Sequence, residues 1–163
     1  MKTIYLIRHA KSSWKEPLKT DFERDLNSRG KNDAPIIGKK LNQLGINIDL
    51  IICSTAVRTR KTAKLLCKEI NYVYTKIEFK DEIYEASLAN LIQLINQLPN
   101  QSNNVALIGH NPAITYLANY LTDNYIDNMP TCGVFKIELE IDNWNEVIQG
   151  VGLQKFFIYP KMF

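Results

Sequence analysis

With 163 residues, 45% hydrophobic and 23% charged, the chain has the size and balance of one globular domain, residues 1–163, able to bury a core without staples. Its longest apolar runs are too short to cross a bilayer, and Met1-Lys2-Thr3-Ile4 leads into the first strand without signal-peptide architecture, so a cytoplasmic location and no membrane contact are expected. A net charge of +3 with no basic helix or aromatic-basic stripe excludes nucleic acid as the main partner and favours a small anion in a cationic cleft.

The first element is an apolar, β-branched run, Thr3 to Ile7, that ends abruptly in Arg8-His9 and so reads as a buried strand with a cation and an imidazole at its carboxyl tip. In open α/β sheets that tip is where ligands bind. Ser12 to Arg24 is polar and contains Pro17; it reads as a loop with Trp14 as its one large apolar anchor and Arg24 as a surface residue. Asn27 is placed to cap a helix ending at Gly45, with Ile36, Ile37, Leu41 and Leu44 near helical spacing and Pro35 imposing a late start or a kink.

Ile48 to Cys53 forms a second strand, after which Ser54-Thr55 is placed to cap a helix that carries Arg58 in its first turn. A short extended piece, Ile77 to Lys80, precedes Asp81 to Ala86. Ser87 then caps a helix with Leu88, Leu91, Ile92, Ile95 and Leu98 on one face, stopped by Pro99. Val105 to Ile108 is a further strand, and Gly109-His110-Asn111-Pro112 is a strand-to-helix turn with Asn111 at the cap and Pro112 at the first helical position. Leu117, Tyr120 and Leu121 belong to that helix. Val134 to Ile141 alternates strictly, with Phe135, Ile137, Leu139 and Ile141 inward, and Leu153 to Tyr159 returns as an antiparallel edge. Long crossovers between apolar strands imply an α/β fold: a three-layer α/β/α sandwich with a mainly parallel sheet, one antiparallel edge and helices on both faces.

Cys53, Cys67 and Cys132 are an odd set without metal spacing and read as small core residues of a reducing compartment. A cysteine-phosphatase signature needs an arginine six positions after the nucleophile; Arg58 lies five after Cys53, so that reading fails. The chain's two histidines, His9 and His110, both follow apolar strands, and Arg8 and Arg58 stand at the same kind of location. Guanidinium forks and helix N-termini both suit phosphate, so a tetrahedral anion is the natural ligand. No H-x3-H, C-x2-C or clustered His-carboxylate pattern supplies the three ligands a catalytic zinc needs, and no metal is expected.

Three ordered motifs, Arg8-His9-Ala10, Ser54-Thr55-Ala56-Val57-Arg58-Thr59-Arg60-Lys61-Thr62-Ala63 and Gly109-His110-Asn111-Pro112, resemble the histidine phosphatase superfamily, whose fold is phosphoglycerate mutase-like. The short chain and the Arg-His-Ala-Lys-Ser-Ser-Trp opening look most like its small SixA-type branch, the phosphohistidine phosphatases. Two departures stand out: Ala10 where the superfamily has Gly, harmless unless the backbone there is left-handed, and Thr59 where Ala is common.

The resemblance implies a hydrolase without cofactor, with His9 as nucleophile forming a phosphohistidine intermediate while Arg8, Arg58 and His110 hold the equatorial oxygens. Nearby guanidiniums disfavour a proton on His9 and stabilise the transferring phosphoryl group. Glu85 in Ile83-Tyr84-Glu85 sits where larger members place their general acid, or is a solvated glutamate before a capped helix. Lys11, Ser12, Asn111 and Thr131 are further loop candidates for substrate contact, although capping alone accounts for Asn111.

The stretch from Glu85 to His110 is mostly one helix and leaves no room for a sizeable lid, which suits phosphate displayed on a protein surface. The expected substrate is phosphohistidine or another phosphorylated protein. The alternatives are a small phosphate ester, handled by a phosphatase or phosphomutase with Glu85 as acid, and a non-catalytic phosphate-binding module. No partner protein, pathway or oligomeric state is legible.

Overall fold

The computed structural model describes residues 1–163. The order of elements is β1 (Lys2–Arg8), α1 (Ser28–Gln43), β2 (Leu50–Ser54), α2 (Val57–Ile70), β3 (Glu78–Lys80), α3 (Leu88–Asn96), β4 (Asn104–Gly109), α4 (Ala113–Leu121), β5 (Val134–Leu139) and β6 (Gly152–Ile158). They form one sheet in the order β3-β2-β4-β1-β5-β6, parallel from β3 to β1, with β5 antiparallel to both of its neighbours. This is the mainly parallel α/β architecture that the alternation of strands and helices predicts.

Both sheet faces are covered because the central strands are apolar on both sides. Ile4 and Leu6 of β1 with Val105 and Leu107 of β4 pack under α3 and α4, together with Leu91, Ile95, Ile114 and Leu117. Tyr5, Ile7, Ala106 and Ile108 face α1 and α2, against Ile37, Leu41, Ala63 and Leu66. Each fully buried aliphatic side chain in these layers stabilises the fold by about 1.5–3 kcal/mol over leaving it exposed. In β5 the alternation holds from Phe135 to Leu139, with Phe135, Ile137 and Leu139 buried and Lys136 and Glu138 half-buried, but Val134, which strict alternation would turn outward, is buried in the layer on the other face.

Four local expectations are corrected. Helix α1 starts without delay, with Asn27 Oδ1 accepting from the Gly30 N–H at 2.9 Å, and it continues through Pro35. Its buried face is Ala34, Ile37, Gly38 and Leu41, whereas Ile36 and Leu44 are exposed. Helix α2 is not capped by Ser54 or Thr55: Ala56 is its N-cap and makes no side-chain bond. Ser54 is drawn toward His110 and Thr55 toward Asp81, while the orphan Val57 N–H is taken by the Phe22 carbonyl at 3.1 Å.

Helix α4 begins one residue later than predicted, with Pro112 at the cap after a cis Asn111-Pro112 bond. The Asn111 amide instead donates to Asn128 Oδ1 (2.6 Å) and the Met129 carbonyl (3.1 Å), and its oxygen accepts from Thr115 Oγ1 (2.6 Å). Finally, Trp14 does not anchor its loop in the core. It is 76% exposed and stacks on Arg24, whose Cζ lies 3.4 Å from the ring centroid.

Candidate active site

Strand register brings the two histidines together. Arg8 pairs with Gly109 across β1 and β4, so the next residue on each strand, His9 and His110, leaves the sheet at the same level. Their ring centroids are 5.4 Å apart. The His9 N–H donates to the Gly109 carbonyl (3.2 Å), and the His9 carbonyl accepts from the Cys132 N–H (3.0 Å). Thr62 ties in the second motif: its Oγ1 accepts from the Ala10 N–H (2.9 Å) and donates to the Arg58 carbonyl (2.8 Å).

The two departures from the superfamily pattern have local accounts. Ala10 is fully buried and is absent from the non-glycine residues with positive φ, which are Asn71, Glu85 and Cys132, so its methyl is accommodated without strain. Thr59 is also fully buried, and its hydroxyl donates back to the Ser54 (2.9 Å) and Ala56 (2.8 Å) carbonyls.

Hydrogen bonding sets the tautomer of His9. Its Nδ1 lies 2.7 Å from the Ala10 carbonyl oxygen, which only accepts, so Nδ1 carries the proton and Nε2 carries the lone pair. Burial pushes its pKa down to about 3 against the pull of the Ala10 bond, helped by His110, Arg58 and Arg8. Desolvation therefore outweighs the guanidiniums as the reason His9 is neutral.

His110 is likewise lowered to about 3, by burial first and Arg58 next. Its Nε2 lies 2.7 Å from Ser54 Oγ, which itself accepts from the Ala56 N–H at 3.3 Å. Nδ1 of His110 is buried without a protein partner, and in the tautomer in which Ser54 donates to Nε2 it is an N–H donor.

The arginines are held from behind. Arg8 Nη1 donates to the Met129 carbonyl (2.9 Å). Arg58, 5% exposed, donates through Nη1 to the Asp21 carbonyl (2.7 Å) and through Nη2 to Asp21 Oδ2 (3.1 Å). Arg24 Nε donates to Asp21 Oδ1 (3.2 Å), and Tyr84 OH to Asp21 Oδ2 (2.6 Å). Buried nitrogens without a partner then collect in one place: Arg8 Nε, Arg24 Nη1, Arg58 Nε and His110 Nδ1. An unmatched buried donor costs about 1–3 kcal/mol, and clustering of four such groups marks a seat for an anion rich in oxygen acceptors.

These groups border a cavity of about 350 Å³ whose lining includes all nine residues singled out from the sequence. Arg8, His9, Arg58 and His110 supply its cationic and imidazole wall. Ser12 is buried, Thr131 half-buried and Lys11 exposed, whereas the amide of Asn111 is spent on its internal bonds. Glu85 borders the same cavity from an exposed position in the left-handed region, φ 54°. Sequence reading missed four lining residues, Trp14, Asp21, Arg24 and Tyr84. The available signal was Asp21 and Arg24 three apart in a long loop that follows a ligand-bearing strand tip.

The sequence signature described as the histidine phosphatase superfamily (branch 1) matches residues 4–94. The SixA protein of Agrobacterium tumefaciens, to which phosphohistidine phosphatase activity is ascribed, superposes with a TM-score of 0.84 at 27% identity over 98% of both chains. A protein histidine phosphatase SixA complexed with tungstate shares the fold, with a TM-score of 0.82 at 18% identity over 98% of both chains.

The mitochondrial serine/threonine-protein phosphatase Pgam5 of Drosophila persimilis is 40% identical over 75 residues, covering 46% of this chain and 25% of its own length. This chain thus spans about a quarter of that relative. An uncharacterized protein of Mycobacterium tuberculosis, Rv1276c, is 26% identical over 169 residues, covering 95% of this chain and 100% of its own.

Proposed function

Because the chain belongs to the histidine phosphatase superfamily, we propose that residues 1–163 form one phosphatase domain that removes phosphate from phosphohistidine or other phosphoprotein substrates. Catalysis is covalent, through His9, and needs no metal ion. One observation carries this reading: a neutral His9, its Nδ1 proton committed to Ala10, borders one cavity with Arg8, Arg24, Arg58 and His110, each of which keeps a buried nitrogen without a protein partner.

In the first step the Nε2 lone pair of His9 attacks phosphorus while the bond from phosphorus to the leaving group breaks. The proton stays on Nδ1, donated to the Ala10 carbonyl, so positive charge that develops on the ring is supported from behind. Arg8, Arg58 and His110 donate to the equatorial oxygens as charge redistributes. In the second step water attacks phosphorus, the P–N bond to His9 breaks, and inorganic phosphate leaves.

A phosphohistidine substrate asks little more of the site, because its imidazole is a good leaving group. An alkoxide is a poor one and requires a proton. A second reading, hydrolysis of small phosphate esters, is favoured by one observation: Glu85 borders the same cavity as His9.

The support for a metal-independent reaction is chemical. The converging side chains are guanidiniums and imidazoles, and no group of three or more His, Cys, Asp or Glu side chains is placed to hold an ion. The test is to label the enzyme with substrate carrying 32P. Acid-labile, base-stable phosphate on His9 is expected; full turnover by His9→Ala together with loss of activity to a chelator overturns the proposal.

A further inference from the structure

Two of the site's arginines converge on a single carboxylate that no motif singles out. Asp21 accepts from Arg58 through its backbone oxygen (2.7 Å) and Oδ2 (3.1 Å), from Arg24 through Oδ1 (3.2 Å), and from Tyr84 OH through Oδ2 (2.6 Å). The nitrogens it uses are not the ones left free. Asp21 takes the Nη1 and Nη2 edge of Arg58 and leaves Nε; it takes Nε of Arg24 and leaves Nη1. Each guanidinium is gripped on one edge and has an unpartnered, buried nitrogen on another.

We propose that Asp21 is a positioning residue, an anionic clamp that fixes Arg58 and Arg24 as a pair and reserves the Nε edge of Arg58 for the phosphoryl group. Arg24 thereby becomes a third guanidinium of the site, offered through Nη1. The proposal rests on the phosphatase reading above and deepens it.

Two further observations support a clamp over an internal anion that merely fills the seat. First, the carboxylate rides on a backbone tied to the active-site helix: the carbonyl of the next residue, Phe22, accepts from Val57 N–H, the first residue of α2 (3.1 Å). The Phe22 ring meets Tyr84 edge-on at 5.1 Å, and Tyr84 in turn meets His110 at 5.5 Å. Second, the partner groups keep the ionic states a clamp requires. Although burial raises it, the Asp21 pKa is held below the ordinary carboxylate value by the Tyr84 bond and by Arg58 and Arg24, whereas burial and Asp21 push Tyr84 up to about 12. Tyr84 is a protonated donor and Asp21 a charged acceptor throughout the neutral range.

Guanidiniums freed from a common counter-ion repel each other and sample several orientations, and an ångström of misplacement at a phosphoryl site costs on the order of 100-fold in rate. The test compares Asp21→Asn, Asp21→Glu and Tyr84→Phe with wild type. The readouts are hydrolysis of a phosphohistidine peptide and of an aryl phosphate, tungstate binding by calorimetry, and thermal melting.

Asp21→Asn should lower kcat/KM on both substrates by about 10- to 100-fold and weaken tungstate about tenfold, with melting little changed. Asp21→Glu, which restores the charge, should recover most of both; Tyr84→Phe, which keeps the aromatic contacts, should fall between. Tighter tungstate binding by Asp21→Asn would show a plug and overturn the clamp. Equal losses in Asn and Glu with parallel falls in melting temperature would reduce Asp21 to loop architecture, and an unaltered Asp21→Asn would also overturn the proposal. Wild-type protein that neither binds tungstate nor turns over would overturn the phosphatase reading and the clamp with it.

Discussion

Ser54 Oγ lies 2.7 Å from Nε2 of His110, and a hydroxyl that donates there leaves Nδ1 as the N–H that serves the cavity. Without the hydroxyl, the neutral ring is free to adopt either tautomer, and the one with a bare Nδ1 repels a phosphate oxygen. Ser54→Ala is therefore expected to lower kcat about 10- to 100-fold. It also strips the Ala56 N–H of its acceptor at a fully buried position, so stability should fall by about 1–3 kcal/mol, read by urea denaturation.

On the proposed mechanism His9 carries the covalent step. His9→Ala should abolish labelling and lower turnover by at least about 1,000-fold on every substrate, measured as phosphate release. The fold should survive, because the His9 backbone bonds to Gly109 and Cys132 persist without the ring.

Both histidines have folded-state pKa values of about 3 against an ordinary value of 6.5. Above about pH 6.5 they are neutral whether the chain is folded or not, and nothing is lost. Between about 6.5 and 3 the unfolded chain binds protons that the folded chain refuses, so stability falls as pH falls, by up to about 1.4 kcal/mol per pH unit for each histidine. Urea midpoints measured from pH 7 to pH 4 should decline, and the double variant His9→Asn, His110→Asn should flatten that decline. In kcat/KM of the free enzyme, no acid limb near pH 6.5 should be traceable to His9.

Glu85 is the residue expected to separate the two substrate readings. If its carboxyl protonates the leaving oxygen, Glu85→Gln should lower aryl or sugar phosphate hydrolysis by about 100-fold while leaving phosphohistidine hydrolysis within about twofold. Equal loss on both substrates, or on neither, would remove Glu85 as the acid. The readout is the ratio of the two kcat/KM values.

A test remote from the chemistry comes from Gly30 in the first turn of α1. A Cβ there would overlap the Lys11 carbonyl oxygen, the same atom that accepts from the Asn27 N–H at 3.0 Å. Gly30→Ala should push the 8–11 segment away from the helix, destabilise the protein by about 1–3 kcal/mol and lower kcat, although residue 30 does not line the cavity. Melting and kinetics on the same preparation check it.

The architecture was legible because each central strand is an unbroken apolar run joined to the next by a helical segment of one-sided polarity. Arg8, His9 and His110 were legible for the same reason: an ionic residue closing an apolar run has little choice but to sit at the sheet's tip. Asp21 and Arg24 were not, since a polar loop has no period from which to infer direction, and their roles exist only once Arg58 arrives from α2. Trp14 misled because a tryptophan in a polar loop ordinarily seeks the core, whereas a guanidinium face offered a partner at the surface. The caps at Ser54 and Asn111 misled because each side chain had a tertiary partner stronger than its local helix end.

Trp14, Lys11 and Glu85, all exposed, stand around the cavity, and the link from α3 to β4 is the short stretch between Asn96 and Asn104. An enzyme that moves phosphate between two positions of a metabolite must shield its phosphorylated intermediate, since any water that arrives first ends the transfer. A hydrolase has no such duty, because water is its second substrate. On the proposed mechanism the open mouth admits the water that attacks phosphorylated His9, and recognition of the phosphate's carrier would fall to the protein surface around that mouth.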